Sequence, residues 1–414
     1  MPEANAVVVG AGAAGLSLAH RLAESVPGLR TPSVVLVDAP PGPLRPPPRT
    51  WCYWTAEPGR FDAAVRAEWQ RLRVRPRTGA PVEGNIAPLR YRMIRSDDFE
   101  RVVSRDLARS PTVRRLEGTV ETVEDVPGGA HVRLRDAHGR TRVPSVRWVF
   151  DSRPPGSLPA ARTTLLQHFH GWFVRTARPV FDPAAVELMD FRTPQPAHGL
   201  SFGYVLPTSP CEALVEYTEF SAHPLTPDGC EAAVRHYADD ILRLGERQVP
   251  AGETGVIAMT DAPVPRQTGA SAFRIGAAGG ATRPATGYTF AGLQRQTRAV
   301  ADALRRADTA RCPPPPTRGA RASWTPSCSA PWTAAGSTAR NCSAASSPAC
   351  PWHGCCGSST ETPARTRTCP SACARLPGRC CDPPWTCPAC PATPSTCPRL
   401  PPPGTRRRPH EPAA

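Results

Sequence analysis

Lysine is absent: all 50 basic residues of the 414-residue chain are arginine. Lysine codons are A-rich, so the gap points to a very GC-rich coding sequence. No run of 18 apolar residues occurs, which argues against a helix spanning a membrane. No charged segment followed by an apolar core opens the chain, so no signal peptide is expected. What remains is a cytoplasmic protein, or one lying peripherally on the cytoplasmic membrane. Cysteine and the larger aliphatic residues are missing from different regions. Up to Ala310 only Cys52, Cys211 and Cys230 occur, whereas the last 104 residues hold 13 of the 16 cysteines and 22 of the 53 prolines. That last stretch has no Val, Ile, Met or Phe, and of leucine only Leu376 and Leu400. So little apolar surface cannot offset the entropy of ordering, and a disordered tail is expected over 311–414. Its 12 arginines against 3 acids supply +9 of the net +15, so the basic balance gives no ground for a nucleic-acid partner.

The tail reads best as a slipped reading frame. Its cysteines, such as Cys355-Cys356, Cys387 and Cys390, form no paired ligand blocks, so no metal is expected. In GC-rich DNA, a leucine pair written CTGCTG reads Cys-Cys one base later. Trp324 to Ser337 can be back-translated and regrouped as M-D-A-V-L-L-R-A-L-D-R-G-R-L, and Asn341 to Ser359 regroups into an amphipathic helical string. Pro313 to Pro316 can be an unbroken cytosine run, which places the slip there. Helices lost in this way would have buried apolar surface and helped dock the protein on a membrane. An inactive gene product is therefore one alternative reading.

The first forty residues predict a strand, a glycine turn, a helix and a second strand. Ala6-Val7-Val8-Val9 precedes Gly10-Ala11-Gly12-Ala13-Ala14-Gly15, then Leu16 to Glu24, then Val34-Val35-Leu36-Val37-Asp38. Gly10 makes the tight turn, Gly12 admits a pyrophosphate to the backbone, and Gly15 allows close packing of helix on strand. Asp38 is placed to accept ribose hydroxyls. A second cluster, Gly276, Gly279 and Gly280, continues through Pro284, Thr286, Gly287 and Tyr288 into an amphipathic pattern at Leu293, Val300 and Leu304. A late turn of this kind favours FAD over NAD, because it can close a flavin site against a helix N-terminus. His168 and His170 lack any carboxylate or cysteine at metal spacing and are expected near the surface or hydrogen-bonded.

Several segments then follow one another: Arg49-Thr50-Trp51-Cys52-Tyr53-Trp54, Tyr91 to Phe99, Val149 to Pro154, Gln167 to Trp172, Leu188 to Thr193, Tyr204 to Pro207, Leu214 to Ser221 and Glu253 to Ile257. In this order they resemble the flavin-dependent lycopene β-cyclases of bacteria. The resemblance implies an α/β, Rossmann-like FAD-binding fold of the glutathione-reductase type, with an inserted, mainly antiparallel β substrate domain. The expected divisions are 1–50 and 51–160 for cofactor and mixed segments, 161–265 for the substrate domain, 266–310 for the closing cofactor segment and 311–414 for the tail. It also implies acid-catalysed ring closure of lycopene or a related carotene, with reduced FAD, NAD(P)H as reductant and no net redox change. Glu216 is the implied acid; Tyr217 stands where many relatives carry a second acid, which leaves Glu216 to act with Asp190, Arg192 or Glu253. Trp51, Tyr53, Trp54, Trp172 and Tyr288 are the implied substrate-facing aromatics. An FAD-dependent reductase or monooxygenase of a prenyl lipid is the other enzyme reading.

Overall fold

The computed structural model describes residues 4–42 and 44–306; the expectations for 311–414 lie outside these. In chain order, strand β1 (Ala4–Val9) leads through the glycine turn to helix α1 (Ala13–Ala23) and strand β2 (Val34–Asp38). Strands β3 (Thr50–Thr55), β4 (Val65–Trp69), β5 (Arg71–Arg75), β6 (Val82–Asn85) and β7 (Arg90–Arg95) precede helix α2 (Ser96–Leu107). Strands β8 (Val113–Val126), β9 (Gly129–Asp136), β10 (Thr141–Arg142) and β11 (Ser145–Asp151) come next. Then follow β12 (Thr164–Thr176), β13 (Ala185–Asp190), β14 (Leu200–Ser209), β15 (Glu212–Ser221), α3 (Pro227–His236), β16 (Arg247–Thr260), β17 (Ala272–Arg274) and α4 (Phe290–Arg306).

The first sheet runs β10-β9-β8-β2-β1-β11-β17. Its centre, β8-β2-β1-β11-β17, is parallel, which is why β1 and β2 read as unbroken apolar runs: both faces are covered. Alternation along β1 separates the two cores. Ala6 and Val8 face α1, α2 and α4, packing with Leu18, Phe99, Val103 and Val300. Val7 and Val9 face the opposite side with Val35, Val37, Val132 and Val149.

The second sheet runs β16-β12-β15-β14-β13-β5-β6 and is antiparallel except for the β13–β5 pair. It draws β5 and β6 from before α2, within the 51–160 stretch read from the sequence as mixed. A three-stranded sheet, β3-β7-β4, covers one face, where Tyr91, Met93 and Trp69 meet Phe202, Tyr204, Leu206, Leu214 and Phe220. Helix α3 and the turn after it cover the other, where Val234, Tyr237 and Ala238 meet Trp172, Val174, Val205 and Val215. Among the described residues, no helix is long and apolar enough to cross a membrane.

Candidate active site

The two glycine clusters converge. Gly10 has φ +89°, a conformation few side chains tolerate, and its N–H donates to Val37 O at 2.8 Å. A Cβ on Gly15 would lie 1.8 Å from Gly10 O, so α1 starts against the turn itself. Gly12 caps α1 and faces open space, leaving that helix N-terminus free to meet an anion. From the far end of the sequence, Gly276 packs onto the same turn, since a Cβ there would approach Ala14 Cβ to 2.7 Å. Gln296 of α4 fixes this cluster by accepting from Gly276 N at 2.7 Å and donating to Gly279 O at 3.0 Å. Gly280 and Gly287 take φ of +75° and +71°. Beside Gly287, Thr286 Oγ1 and Gln167 Oε1 are buried with no hydrogen-bond partner. Open space at Gly12, a cradle that side chains would fill and two orphaned polar atoms, one in the loop beyond it and one reaching that loop from β12, fit a dinucleotide carrying a polar ring. Asp38 stands at the end of β2, where a ribose would need it, but it is already engaged: it accepts from Ala11 N at 3.3 Å and pairs with Arg115 at 2.8 Å and Arg45 at 3.3 Å.

Glu216 and Glu253 lie in one row across the second sheet. Gly171 of β12 is registered with Glu253 of β16 on one side and with Glu216 of β15 on the other, and Tyr204 of β14 follows Glu216. Residues in register share a face. Because Gly171 has no side chain, nothing stands between the two carboxylates in this row; a Cβ there would come within 2.9 Å of Leu214 Cδ1 and 3.3 Å of Glu216 Cβ. Glu216 as a residue is half-buried, while protein crowds around its carboxyl group. Burial, and then the neighbouring Glu253, push its carboxyl up to about 8, with Thr218 Oγ1 as hydrogen-bond donor to Oε1 at 2.8 Å. Glu253 is also raised by burial, but Thr50 Oγ1 donates to it at 2.8 Å, and Arg95 and Arg49 favour its charged form. Unequal surroundings thus divide the pair into a proton-holding Glu216 and a more readily ionised Glu253.

Above this row lies a buried network in which Tyr288 and Trp54 were candidates from the sequence, whereas Tyr91, Cys52 and Tyr204 were not singled out as site residues. Tyr91 and Tyr288 share a hydrogen bond of 3.0 Å, with the Cys52 thiol beside Tyr91 and the Tyr204 hydroxyl beside Tyr288. Burial drives the Tyr91 and Tyr204 hydroxyls well above their ordinary range, so both remain neutral phenols. Trp54 packs on Tyr91 at a ring separation of 4.6 Å. Tyr204 could not be placed opposite Glu216 from sequence, because strand register decides it.

The other candidates separate from this row. Along β3, Cys52 and Trp54 point to the Tyr91 side, whereas Trp51 and Tyr53 pack against Phe290 at ring distances of 5.7 and 4.9 Å, in the core beneath α4. Trp172 is one residue from Gly171 and therefore on the opposite face. There its indole donates to Glu231 at 3.3 Å, and Arg235 and Arg247 each lie 5.3 Å from the ring, which corrects its assignment to the substrate. Asp190 and Arg192 are corrected likewise. Asp190 is fully buried on the α3 side, paired with Arg192 at 2.6 Å and accepting from Tyr237 Oη at 3.1 Å. They form a structural pair away from Glu216. His170 contacts Glu231 at 3.1 Å, but His168 is 2% exposed with neither ring nitrogen hydrogen-bonded, contrary to expectation.

Solved structures share this architecture. A geranylgeranyl bacteriochlorophyll reductase-like protein from Thermoplasma acidophilum is 14% identical with a TM-score of 0.56, over 73% of this chain and 78% of that one. The p-nitrophenol 4-monooxygenase of Pseudomonas putida DLL-E4 is 16% identical with a TM-score of 0.51, over 72% and 79%. Aklavinone-11 hydroxylase, solved with FAD and aklavinone, is 15% identical with a TM-score of 0.52, over 73% and 62%. The fold is thus the mixed α/β fold found in FAD-dependent oxidoreductases and monooxygenases. No curated protein matches the chain by sequence. Residues 5–339 match the family described as lycopene cyclase protein, and the chain belongs to that family. The match runs 23 residues beyond Pro316, where the reading-frame slip was placed.

Proposed function

We propose that the protein is a lycopene β-cyclase that binds FAD and closes the ψ-ends of lycopene into β-ionone rings without net redox change. The observation that carries this reading is the row Glu253-Gly171-Glu216-Tyr204, an acid held protonated near neutral pH beside a second carboxylate and under a layer of phenols. The protonated Glu216 carboxyl adds its proton to the terminal double bond of the chain end. The neighbouring alkene captures the tertiary cation, closing the ring, and a ring proton leaves to Glu253. One proton enters and one leaves, so the pair returns to its starting state once Glu253 releases its proton to solvent and Glu216 takes one up from it. Tyr91, Tyr204, Tyr288 and Trp54 exclude water and present aromatic faces to the cation. Gly10, Gly12, Gly15 and the start of α1 would hold the pyrophosphate of FAD, Asp38 its ribose, and Gly276, Gly279, Gly280, Thr286 and Gly287 its ring. Reduced flavin, maintained by NAD(P)H, would when bound supply electron density that stabilises a developing cation. The carotene is delivered by peripheral contact with the membrane that dissolves it.

The test incubates purified protein with FAD, NADPH and lycopene in vesicles made up in deuterium oxide. β-Carotene carrying one deuterium per ring, formed with far less NADPH consumed than product, is the expected result. NADPH consumed mole for mole with a reduced or oxygenated product would replace this reading with a prenyl-lipid reductase or monooxygenase. Unchanged lycopene with flavin-loaded, folded protein would overturn it in favour of an inactive gene product.

A further inference from the structure

The geometry points to Gln167 as a flavin-contact residue supplied by the substrate sheet. Gln167 lies on β12 four residues before Gly171 and on the same face, registered with Ile257 of β16 and Phe220 of β15. Its side chain reaches out of that sheet to the glycine loop of the cofactor domain. A Cβ on Gly287 would meet Gln167 Oε1 at 2.0 Å and its Cδ at 3.1 Å. That Oε1 is buried without a hydrogen-bond partner, and so is Thr286 Oγ1 in the adjoining loop residue. A buried acceptor left unmade costs about 1–3 kcal/mol, so two of them together at one loop mark a place where a polar ligand completes the set.

The inference rests on the flavin reading above and deepens it. The ligand is the isoalloxazine ring of FAD, which has N–H groups that a carboxamide oxygen accepts and carbonyls that a threonine hydroxyl meets. Only N3 of the oxidised ring carries a hydrogen, whereas the reduced ring carries one on N5 as well. Gln167 therefore ties the ring to the strand on which Gly171 separates the two carboxylates, and acts as a positioning residue.

FAD affinity, read by quenching of flavin fluorescence and by the flavin absorption band, tests this on the full chain. Wild-type protein is expected to bind FAD, and Gln167→Met to bind it about tenfold more weakly with a shifted band, the loss of about one hydrogen bond. The loss falls on both oxidation states if N3–H is the donor and on the reduced state alone if N5–H is. If Gln167→Met does not fold, Gln167→Glu replaces it: an FAD affinity that varies with pH in the variant and not in wild type supports the contact. Variants that match wild type in affinity and spectrum overturn the inference while leaving the flavin reading intact. Wild-type protein that folds and takes up no FAD overturns the flavin reading itself.

Discussion

The two faces of the second sheet, β16-β12-β15-β14-β13-β5-β6, both bury carboxylates, and they treat them differently. On the α3 face, Glu187 is held by Arg73 at 2.6 Å and Arg75 at 2.8 Å, and Asp190 by Arg192 and Tyr237. On the opposite face, Glu216 has Thr218 and a second carboxylate for company. Burial is common to both; the supply of cations is not. A carboxylate with its arginine is a brace that holds strands, whereas one without it keeps a proton near neutral pH and can give it away.

The largest effect expected to test this contrast is at Glu216. Glu216→Gln keeps shape and removes the transferable proton, so β-carotene formation should fall by about 10²–10⁴-fold with FAD uptake unchanged, measured by pigment chromatography. Retained cyclisation would end the assignment. Breaking the brace on the other face should act on stability: Asp190→Ala leaves Arg192 without its anion and should cost about 3 kcal/mol, near the low end for buried pairs because Arg192 is partly exposed, read by denaturant unfolding. Gly171→Ala inserts a methyl group against Glu216 and Leu214, and cyclisation should drop by about tenfold, roughly 1.4 kcal/mol in the barrier, with the unfolding midpoint little changed. A midpoint collapse instead would show that Gly171 serves packing alone.

Smaller effects follow from pH and from Trp172. Cyclisation should decline as pH rises through about 8, where Glu216 loses its proton. The same shift lowers stability: the folded state keeps a proton that the unfolded chain releases above about 4.3, so stability is full below that pH and falls until about 8. Glu216→Gln should flatten that slope in melting curves taken from pH 5 to 9. Trp172→Phe, on the braced face, should leave cyclisation within about twofold, in keeping with a change remote from the reacting atoms. A large loss there would reopen its role in substrate binding.

Much of the cofactor region was legible in the sequence because glycine turns and apolar runs have local causes: Gly10, Gly15 and the flanking strands stand where spacing put them. The candidate row was legible in its residues and not in its grouping. Side chains alternate along a strand, so Gly171 and Trp172 are neighbours in sequence and opposites in space. Which parity faces the gap depends on pairing with β15 and β16, which lie 40 to 90 residues away. The irregular register of β13 between Glu187 and Asp190 hides the face of Asp190 further, since it breaks the count by twos. Tyr91 and Tyr288 meet across 197 residues, a distance at which no periodic signal survives.

The parallel sheet also dictates an order of assembly during synthesis. Its strands β1, β11 and β17 are adjacent in space and come from residues 4–9, 145–151 and 272–274. On the ribosome, the edge of β11 at Val149 to Asp151 must wait, unpaired, until β17 has emerged, while β12 to β16 are already complete and can pair with one another. The nascent chain therefore carries a paired second sheet beside an open first sheet, and that open strand edge is the surface that a chaperone, or another nascent copy, would find first.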